Sequence, residues 1–256
     1  MTYDFVFVVL VYRNTKDLEE FFAAFKLANS KVIVVNSYYD DVTKAEFERM
    51  AMFNDAAFVN VPNKGYGAGN NRGCEYALKH FSFRYLVISN ADVVIKQMDV
   101  AHLGEYIVAP DIITLSNHHS NPFRAYHYML FDWIQVHCFQ KNWRMPIILI
   151  SVITKLQRIF FQMVRKKGKV YAAHGAFVIL PQKAVELMYP IYNERMFLFS
   201  EEEHFAKLAE SKGIPVIYEP SVKVLHKEDG STAAISEKTY ELTKASFLEF
   251  FNYWYK

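Results

Sequence analysis

The first 95 residues alternate between short apolar runs and amphipathic segments. The apolar runs, at 4–12, 31–37, 56–61 and 85–95, are rich in β-branched residues, as strands covered on both faces are. The segments between them have helical spacing and lie at 15–28, 44–53 and 70–81. This βαβαβαβ order predicts an open, doubly wound, mostly parallel sheet with helices on both faces, which binds ligands at the carboxyl ends of its strands.

The pattern is less regular after residue 110, and residues 114–146 have no clean period. Residues 145–167 predict a long helix that starts at Pro146 and has a broad apolar face. The remaining predictions are a strand-like run at 169–181, an acidic helix within 195–213, a pair of strands at 214–226 and a helical C-terminus. We expect a single domain over 1–256, divided into a ligand-binding half (1–110), an acceptor and catalytic half (111–231) and a C-terminal helix (232–256).

Composition favours a packed globular protein, with 52% hydrophobic and 22% charged residues. The chain has two cysteines, Cys74 and Cys138, and it starts without a recognisable signal peptide. We therefore expect a reducing, cytoplasmic setting.

Charge is unevenly distributed along the chain. Residues 133–185 hold nine Lys and Arg residues and no Asp or Glu, so the remainder carries 20 basic against 27 acidic residues, a net charge of −7. The basic amphipathic insertion at 133–170 predicts an anionic partner, with peripheral association on the inner face of a membrane as one possibility. Packing of this helix on the sheet is the alternative. No charge-free run approaches the roughly 18 apolar residues of a membrane span, so we do not expect the chain to cross one.

Four of the nine glycines lie in the stretch NKGYGAGNNRG (63–73). The stretch does not match G-x-G-x-x-G. When the motif starts at Gly65 its last glycine falls on Asn70, and when it starts at Gly67 the last glycine falls on Arg72. No Gly-Lys-Ser/Thr follows, so a Walker-type loop is also excluded. The stretch predicts either a turn without a ligand or a loop of small residues at a helix N-terminus that admits a nucleotide or sugar phosphate.

Three further motifs carry possible chemistry. Asp92 in SNAD ends the fourth predicted strand, where it is either a turn residue or a ligand for Mg²⁺ or Mn²⁺. SEEEHF (200–205) follows an apolar run, so its acids are either a solvated helix start or a cluster in which one member faces a cavity. His226 in LHKEDGS follows a strand and is either structural or a ligand.

The order of these motifs resembles that of the family 2 glycosyltransferases with the GT-A fold, in their rhamnosyl- and galactofuranosyltransferase-like branch. The resemblance covers roughly residues 5 to 231. It implies an inverting transfer of a sugar from a nucleotide-diphosphate sugar, such as dTDP-rhamnose or a UDP-hexose or UDP-galactofuranose. The implied acceptor is a glycan or polyprenyl-linked molecule in bacterial surface polysaccharide synthesis, and no nucleic acid is expected as a partner.

The resemblance also implies roles for individual residues. Glu202, with Glu201 as the alternative, becomes the catalytic base, and Asp92 and His226 become ligands of a divalent cation. His174 and Gly175 are expected on the acceptor side of the cleft. The donor-binding residues implied are Tyr12, Asn14, Asn36, Asn63, Lys64, Gly65, Gly69, Asn70, Asn71 and Asn90.

The chain departs from the family pattern at several of these positions. Ala91 stands where Pro is common, Asn90 where other branches have Asp, and Asn36 where an Asp often contacts the base of the nucleotide. These changes concern the identity of the donor more than the class of reaction. Two alternatives are a nucleotidyltransferase, which normally has a glycine-rich basic loop where this chain has YRNTKD, and an inactive binding or scaffold subunit of a polysaccharide assembly complex.

Overall fold

A computed structural model describes residues 2–98, 101, 103–164, 166–227 and 237–256. Arg165 and residues 228–231 of the LHKEDGS motif lie outside the described residues. The strands are β1 (Thr2–Val11), β2 (Ser30–Tyr38), β3 (Ala57–Pro62), β4 (Ser82–Asn90), β5 (Val93–Gln97), β6 (Ile107–Thr114), β7 (Gly168–Val170), β8 (Phe177–Pro181) and β9 (Val216–His226). The helices are α1 (Thr15–Ala24), α2 (Asp41–Phe53), α3 (Tyr66–His80), α4 (Met129–Lys141), α5 (Arg144–Val164), α6 (Gln182–Met188), α7 (Glu201–Ser211) and α8 (Glu237–Tyr255).

The described strands form one sheet in the order β3-β2-β1-β4-β8-β6-β9-β5, with β7 on β9. The first four strands are parallel and have the predicted doubly wound order, so the mixed α/β prediction is confirmed. Their carboxyl ends lie on one edge of the sheet because Val9 pairs with both Val34 and Ser89.

The second half of the sheet is mixed rather than parallel. Strand β8 runs antiparallel to β4 and β6, β5 runs antiparallel to β9, and β6 runs parallel to β9. The run predicted as one strand at 85–95 is two strands, β4 and β5, separated by a turn at 91–92. The run predicted as one strand at 169–181 is also two strands, β7 and β8. The two strands predicted at 214–226 are the single strand β9. Strand β6 and helices α4 and α6 were not predicted.

Two hydrophobic cores cover the two faces of the sheet. One is formed with α3, α6 and α7 and includes Cys74 and Phe205, and the other with α1 and α2 includes Phe21 and Phe47. A third core joins α4 to α8 beside the sheet, where Phe139, Phe247 and Phe250 are fully buried. The irregular segment therefore gains its own apolar support from the C-terminal helix.

One described helix, α5, is long and apolar enough to cross a membrane by length and composition. The expectation that the chain does not cross a membrane stays a prediction, since Lys155 and Arg158 interrupt this otherwise apolar helix. Ile150 is its one buried residue in the described part of the chain.

Candidate functional site

A cleft of about 730 Å³ opens at the carboxyl ends of the central strands. It is bounded by the end of β4, the loop before β8, the start of α7 and the end of β9. Seven of the predicted site residues line it: Asn90, Asp92, His174, Gly175, Glu201, Glu202 and His226. Residues up to 136 positions apart in the chain thus share one concave surface, as expected of a binding or catalytic site.

Asp92 and His226 form the first polar pair of the cleft. His226 Nε2 lies 3.2 Å from Asp92 Oδ2, because β5 and β9 are antiparallel and Val93 is in register with His226. A main-chain hydrogen bond also joins the two segments, since Lys227 N donates to Asp92 O at 3.0 Å. The other ring nitrogen of His226, Nδ1, is buried without a hydrogen-bond partner in the structure.

The three consecutive acids at the start of α7 have different surroundings. Glu203 is buried and forms a 2.8 Å ion pair with Arg124. Glu202 is partly exposed, and its Oε1 accepts a hydrogen bond from Gly175 N at 3.3 Å. Glu201 is buried, and its Oε1 has no hydrogen-bond partner. Glu202 is therefore the acid best placed to meet a ligand in the cleft.

Although Glu202 is partly open to the cleft, the protein around Glu201 and Glu202 keeps water from both carboxylates and changes their acid–base properties. Desolvation, followed by the charge of Glu203, raises the pKa of Glu202 above its usual range. Desolvation and the charge of Glu202 likewise raise the pKa of Glu201. A carboxylate whose pKa is raised toward neutrality is a stronger base than a free glutamate and can still be ionised near pH 7.

The backbone before α7 fixes where these acids point. Phe199 and Ser200 have φ angles of 75° and 62°, in the left-handed region that residues other than glycine rarely adopt. Ser246 Oγ donates to Leu198 O at 2.8 Å, so α8 holds this strained turn from outside. Non-glycine residues in such a conformation occur preferentially at functional sites.

The wall opposite α7 is formed by His174 and Gly175. His174 Nδ1 accepts a hydrogen bond from Ala176 N at 3.1 Å, so the proton of the neutral ring is on Nε2. Burial lowers the pKa of His174 to about 4, and the ring therefore stays neutral at pH 7. A Cβ at Gly175 would lie 3.0 Å from Glu202 Oε1, so a side chain at this position would crowd the carboxylate.

The glycine stretch packs against the protein itself. Gly65 has a φ of 103°, and a Cβ there would lie 2.1 Å from Phe197 O. A Cβ at Gly69 would lie 2.5 Å from Leu10 Cδ1, and one at Gly73 would lie 2.2 Å from Val8 Cγ1. These glycines allow α3 to approach β1 and the loop before α7, and contact of this stretch with a donor stays a prediction.

The asparagines of the predicted donor loop are also interior. Asn71 is fully buried, and its side chain bonds to Tyr192 O and to the main-chain N–H groups of Ile191 and Tyr192. Asn70 is fully buried and donates to Tyr66 O at 3.1 Å. In the structure these side chains hold a helix start and a turn, and their contact with a nucleotide stays a prediction.

Asn36 is buried as well, and its Nδ2 donates to Asn60 Oδ1 at 2.8 Å across β2 and β3. Its own Oδ1 has no hydrogen-bond partner in the structure. Asn36 therefore ties two strand ends together and stays a prediction as a donor contact.

The remaining predicted donor residues lie on the same sheet edge but outside the cleft. Tyr12 is exposed and packs edge-on against Tyr39 at 5.7 Å, with the Arg13 guanidinium over both rings. Asn14 caps α1 by accepting from Lys16 N. Asn63 and Lys64 are exposed, and Asn63 Oδ1 accepts from Gly65 N at 3.2 Å. Their proposed contact with a donor stays a prediction.

Several cleft residues were not predicted from the sequence. Tyr66 Oη donates to Gly175 O at 2.8 Å, and Gln135 lines the cleft with its Oε1 unpartnered. Arg124 neutralises Glu203 beside the cleft. Gln135 and Arg124 lie in the segment without clean periodicity, and no local pattern marks them.

Asp92 and His226 suit a cation that shares its coordination with a ligand. Among the described residues no group of three or more His, Cys, Asp or Glu side chains could hold a metal ion alone. Mg²⁺ and Mn²⁺ sites in phosphate-transferring enzymes often use one or two protein ligands plus phosphate oxygens and water. The atoms that a cation would join are Asp92 Oδ2 and His226 Nε2, which face each other at 3.2 Å.

No protein-family model matches the chain, and no curated protein matches it. Many solved structures are similar in fold, including the two that follow. "Crystal structure of GalNAc-T7 with UDP, GalNAc and Mn2+" has a TM-score of 0.62 at 8% identity, over 100% of this chain and 48% of that one. "Mannosyltransferase PcManGT from Pyrobaculum calidifontis in complex with GDP-Man and Mn2+" has a TM-score of 0.54 at 15% identity, over 91% and 59%. This chain spans about half of the length of those chains, and its mixed α/β fold is the GT-A fold of such glycosyltransferases.

Proposed function

We propose that this protein is a glycosyltransferase that moves a sugar from a nucleotide-diphosphate donor to a hydroxyl acceptor with inversion. The observation that carries the proposal is the placement of Glu202 in one cleft with Asp92 and His226, at the carboxyl edge of the sheet. The two solved structures of the same fold are described with UDP, GalNAc and Mn²⁺ and with GDP-mannose and Mn²⁺. These ligands support a nucleotide-sugar donor for this chain.

In the proposed reaction the Glu202 carboxylate accepts the proton of the acceptor hydroxyl as its oxygen attacks the anomeric carbon. The bond from that carbon to the diphosphate oxygen breaks, and the electron pair leaves with the nucleoside diphosphate. General-base catalysis of this kind contributes about 10²–10⁴-fold to the rate. The raised pKa of Glu202 supports this role, since a stronger base takes the proton more readily.

Asp92 and His226 would hold a divalent cation at the leaving group, where it would neutralise the charge that develops on the diphosphate. The neutral His174 ring carries its proton on Nε2 and can donate a hydrogen bond into the same cleft. Gly175 leaves room beside Glu202 for the acceptor hydroxyl.

We further propose dTDP-rhamnose, a UDP-hexose or UDP-galactofuranose as the donor, and a glycan or polyprenyl-linked molecule of a bacterial surface polysaccharide as the acceptor. These identities rest on the resemblance of the motif order to the family 2 enzymes.

A panel of nucleotide sugars tests the proposal. Each would be incubated with the protein and Mn²⁺ without acceptor, and release of nucleoside diphosphate would be followed by chromatography. We expect slow hydrolysis of one donor, with water in place of the acceptor, and its loss when EDTA is added. Binding of a donor without hydrolysis would favour an inactive binding subunit, whereas release of pyrophosphate from a nucleoside triphosphate and a sugar phosphate would favour a nucleotidyltransferase.

A further inference from the structure

We propose that the outward face of α5 docks this protein on the anionic surface of a lipid bilayer, with the helix lying in the plane of the interface. The inference goes beyond the transfer reaction and does not depend on it. It rests on an apolar stripe, on the contacts of the opposite helix face and on the charges beside the stripe.

The outer stripe of α5 is one continuous helical face without a protein partner. Its members recur at steps of one, three or four residues, and each is at least 40% exposed: Met145, Ile148, Leu149, Val152, Leu156, Ile159, Phe160 and Met163. Monomeric soluble proteins rarely leave so large a contiguous apolar surface in water. The stripe therefore marks a surface that another apolar phase covers.

The inner face of α5 is fixed to the protein. Ile150 is buried, and the Phe161 ring packs edge-on against Tyr218 at 5.6 Å. Gln162 Nε2 donates to the carbonyl oxygens of His119 at 2.6 Å and Asn121 at 2.9 Å. A membrane-spanning orientation would remove these contacts, whereas an in-plane orientation keeps them and buries only the outer stripe.

The charges beside the stripe identify the apolar phase. Lys155, Lys166 and Lys169 are exposed, while no Asp or Glu occurs between 133 and 185. Lys155 is three residues from Val152 and four from Ile159, so it flanks the stripe and can extend toward headgroups. Arg144 and Lys167, by contrast, are already paired with Glu237 and Glu219.

A second copy of the chain fits this surface poorly. A two-fold contact would set the same basic face against itself, with no acidic side chain of the helix to compensate the charge. Anionic headgroups supply the missing negative charge, and acyl chains cover the stripe. The charge pattern therefore favours a bilayer over a homodimer.

Docking through this face would place the cleft near the membrane. Gln162 donates to Asn121 O, and Asn121 Oδ1 accepts from His174 N at 2.7 Å, on the acceptor wall. Two side chains thus join the docking helix to the site. In this detail alone the inference relies on the proposed function, since a lipid-linked acceptor would then be met at the surface where it resides.

Vesicle flotation of the full chain tests the proposal. Phosphatidylcholine vesicles would be compared with vesicles that also contain phosphatidylglycerol, at low and high salt and without donor or acceptor. We expect the protein to float with the anionic vesicles, and high salt to weaken binding without abolishing it, because the apolar term resists salt.

Two variants separate the apolar and the charged contributions. Phe160→Asp should reduce vesicle affinity on the order of tenfold or more, because it removes a large apolar side chain from the interface. The double variant Lys155→Ala with Lys166→Ala should lower binding to anionic vesicles and remove much of its salt dependence. Phe53→Asp, at an exposed position on α2, is the matched control and should bind like the wild type.

Three results would overturn the proposal. The first is absence of flotation with anionic vesicles at low salt. The second is resistance of the bound protein to carbonate extraction, which is expected of a spanning helix. The third is a dimer in sedimentation that Phe160→Asp dissociates while vesicle binding is unchanged. Because no donor is present, failure here would leave the hydrolysis test of the transfer reaction unaffected.

Discussion

At the scale of single residues, the three acids of α7 are adjacent in sequence but have separate roles in the structure. Arg124 pairs with Glu203, and burial encloses Glu201. Glu202 keeps a carboxylate in the cleft, oriented by the Gly175 N–H. A single helical turn thus presents one partly exposed carboxylate to the cleft, because consecutive side chains point about 100° apart around a helix.

Glu202→Gln is expected to lower kcat by about 10²-fold or more while donor affinity stays unchanged, because the amide cannot accept the acceptor proton. Steady-state kinetics and calorimetry of the nucleoside diphosphate measure the two effects. Glu48→Gln, at an exposed position on α2, is the control. If Glu202→Gln turns over normally and Glu201→Gln does not, the base lies one residue earlier.

The pH dependence of kcat/KM should reflect the raised pKa of Glu202. A base works only when deprotonated, so activity should fall as pH decreases through that pKa, at a pH above the value of about 4.3 for a free glutamate. A profile from pH 4 to 9 measures this acidic limb. A limb that stayed at the pH of an unperturbed carboxylate would show that the site is more hydrated than the structure indicates.

Asp92→Ala is expected to weaken binding of UDP or dTDP in the presence of Mn²⁺, and EDTA should weaken wild-type binding to the same extent. Calorimetry with Mn²⁺ and then with EDTA gives both affinities, with Glu48→Ala as a control that removes a distant carboxylate. Equal affinities under the two conditions would remove the metal from the proposal without touching the role of Glu202.

At the scale of elements, the start of α3 lies unusually close to the loop before α7. The absence of side chains at Gly65 and Gly73 lets α3 sit against β1, β2 and Phe197. Tyr66 N then donates to Phe197 O at 3.0 Å, which links the start of α3 to the strained turn that precedes the acids. The glycine stretch therefore contributes to the site by positioning α7.

Gly73→Ala should destabilise the protein although alanine favours helices. The added Cβ would lie 2.2 Å from Val8 Cγ1 and 2.9 Å from Val35 Cγ2, and such overpacking costs about 1–3 kcal/mol. The helical preference of alanine offsets about 1 kcal/mol of this. Urea unfolding measures the net loss.

The matched control is Gly168→Ala, where the nearest atom to the new Cβ is 3.8 Å away. Its free energy of unfolding should stay close to that of the wild type. A Gly73→Ala protein as stable as this control would mean that β1 and β2 yield to the added methyl group.

At the scale of the whole molecule, the two halves of the chain share one sheet and the hydrophobic cores on both of its faces. Strand β8 pairs with β4, and Val178 and Leu180 are buried in the same cluster as Leu86 and Ile88. The first half alone would expose this edge of β4 and its apolar neighbours. We therefore expect residues 1–110 to be unstable without the rest of the chain.

Equilibrium unfolding should accordingly be a single cooperative transition. The three tryptophans, Trp133, Trp143 and Trp254, report on the second half of the chain, whereas far-UV circular dichroism reports on all of it. We expect the two signals to change at the same urea concentration. Separate midpoints would show that the halves fold independently, in conflict with the single domain predicted from the sequence.

The sequence by itself determined the first half of the sheet. Runs such as 31–37 and helices such as 44–53 can be recognised locally, because each repeats its apolar period over enough residues to specify one conformation. The resemblance of the motif order to the family 2 glycosyltransferases implied that Asp92, Glu202 and His226 share one site. Strand β6 and helix α4 were not predicted because they have no clear local pattern. Contacts with β9 and α8, which are distant in the chain, stabilise them.

Only the tertiary structure decided what each polar residue faces. The glycines and Asn71 look like ligand contacts in the sequence, yet their neighbours are Leu10, Val8 and Tyr192. Glu202 is distinguished from Glu201 by a hydrogen bond to Gly175, 27 residues away, and by its exposure to the cleft. Burial and pairing are properties of the folded chain as a whole, so a local pattern can place a residue on an edge but cannot say whether it points to solvent, ligand or core.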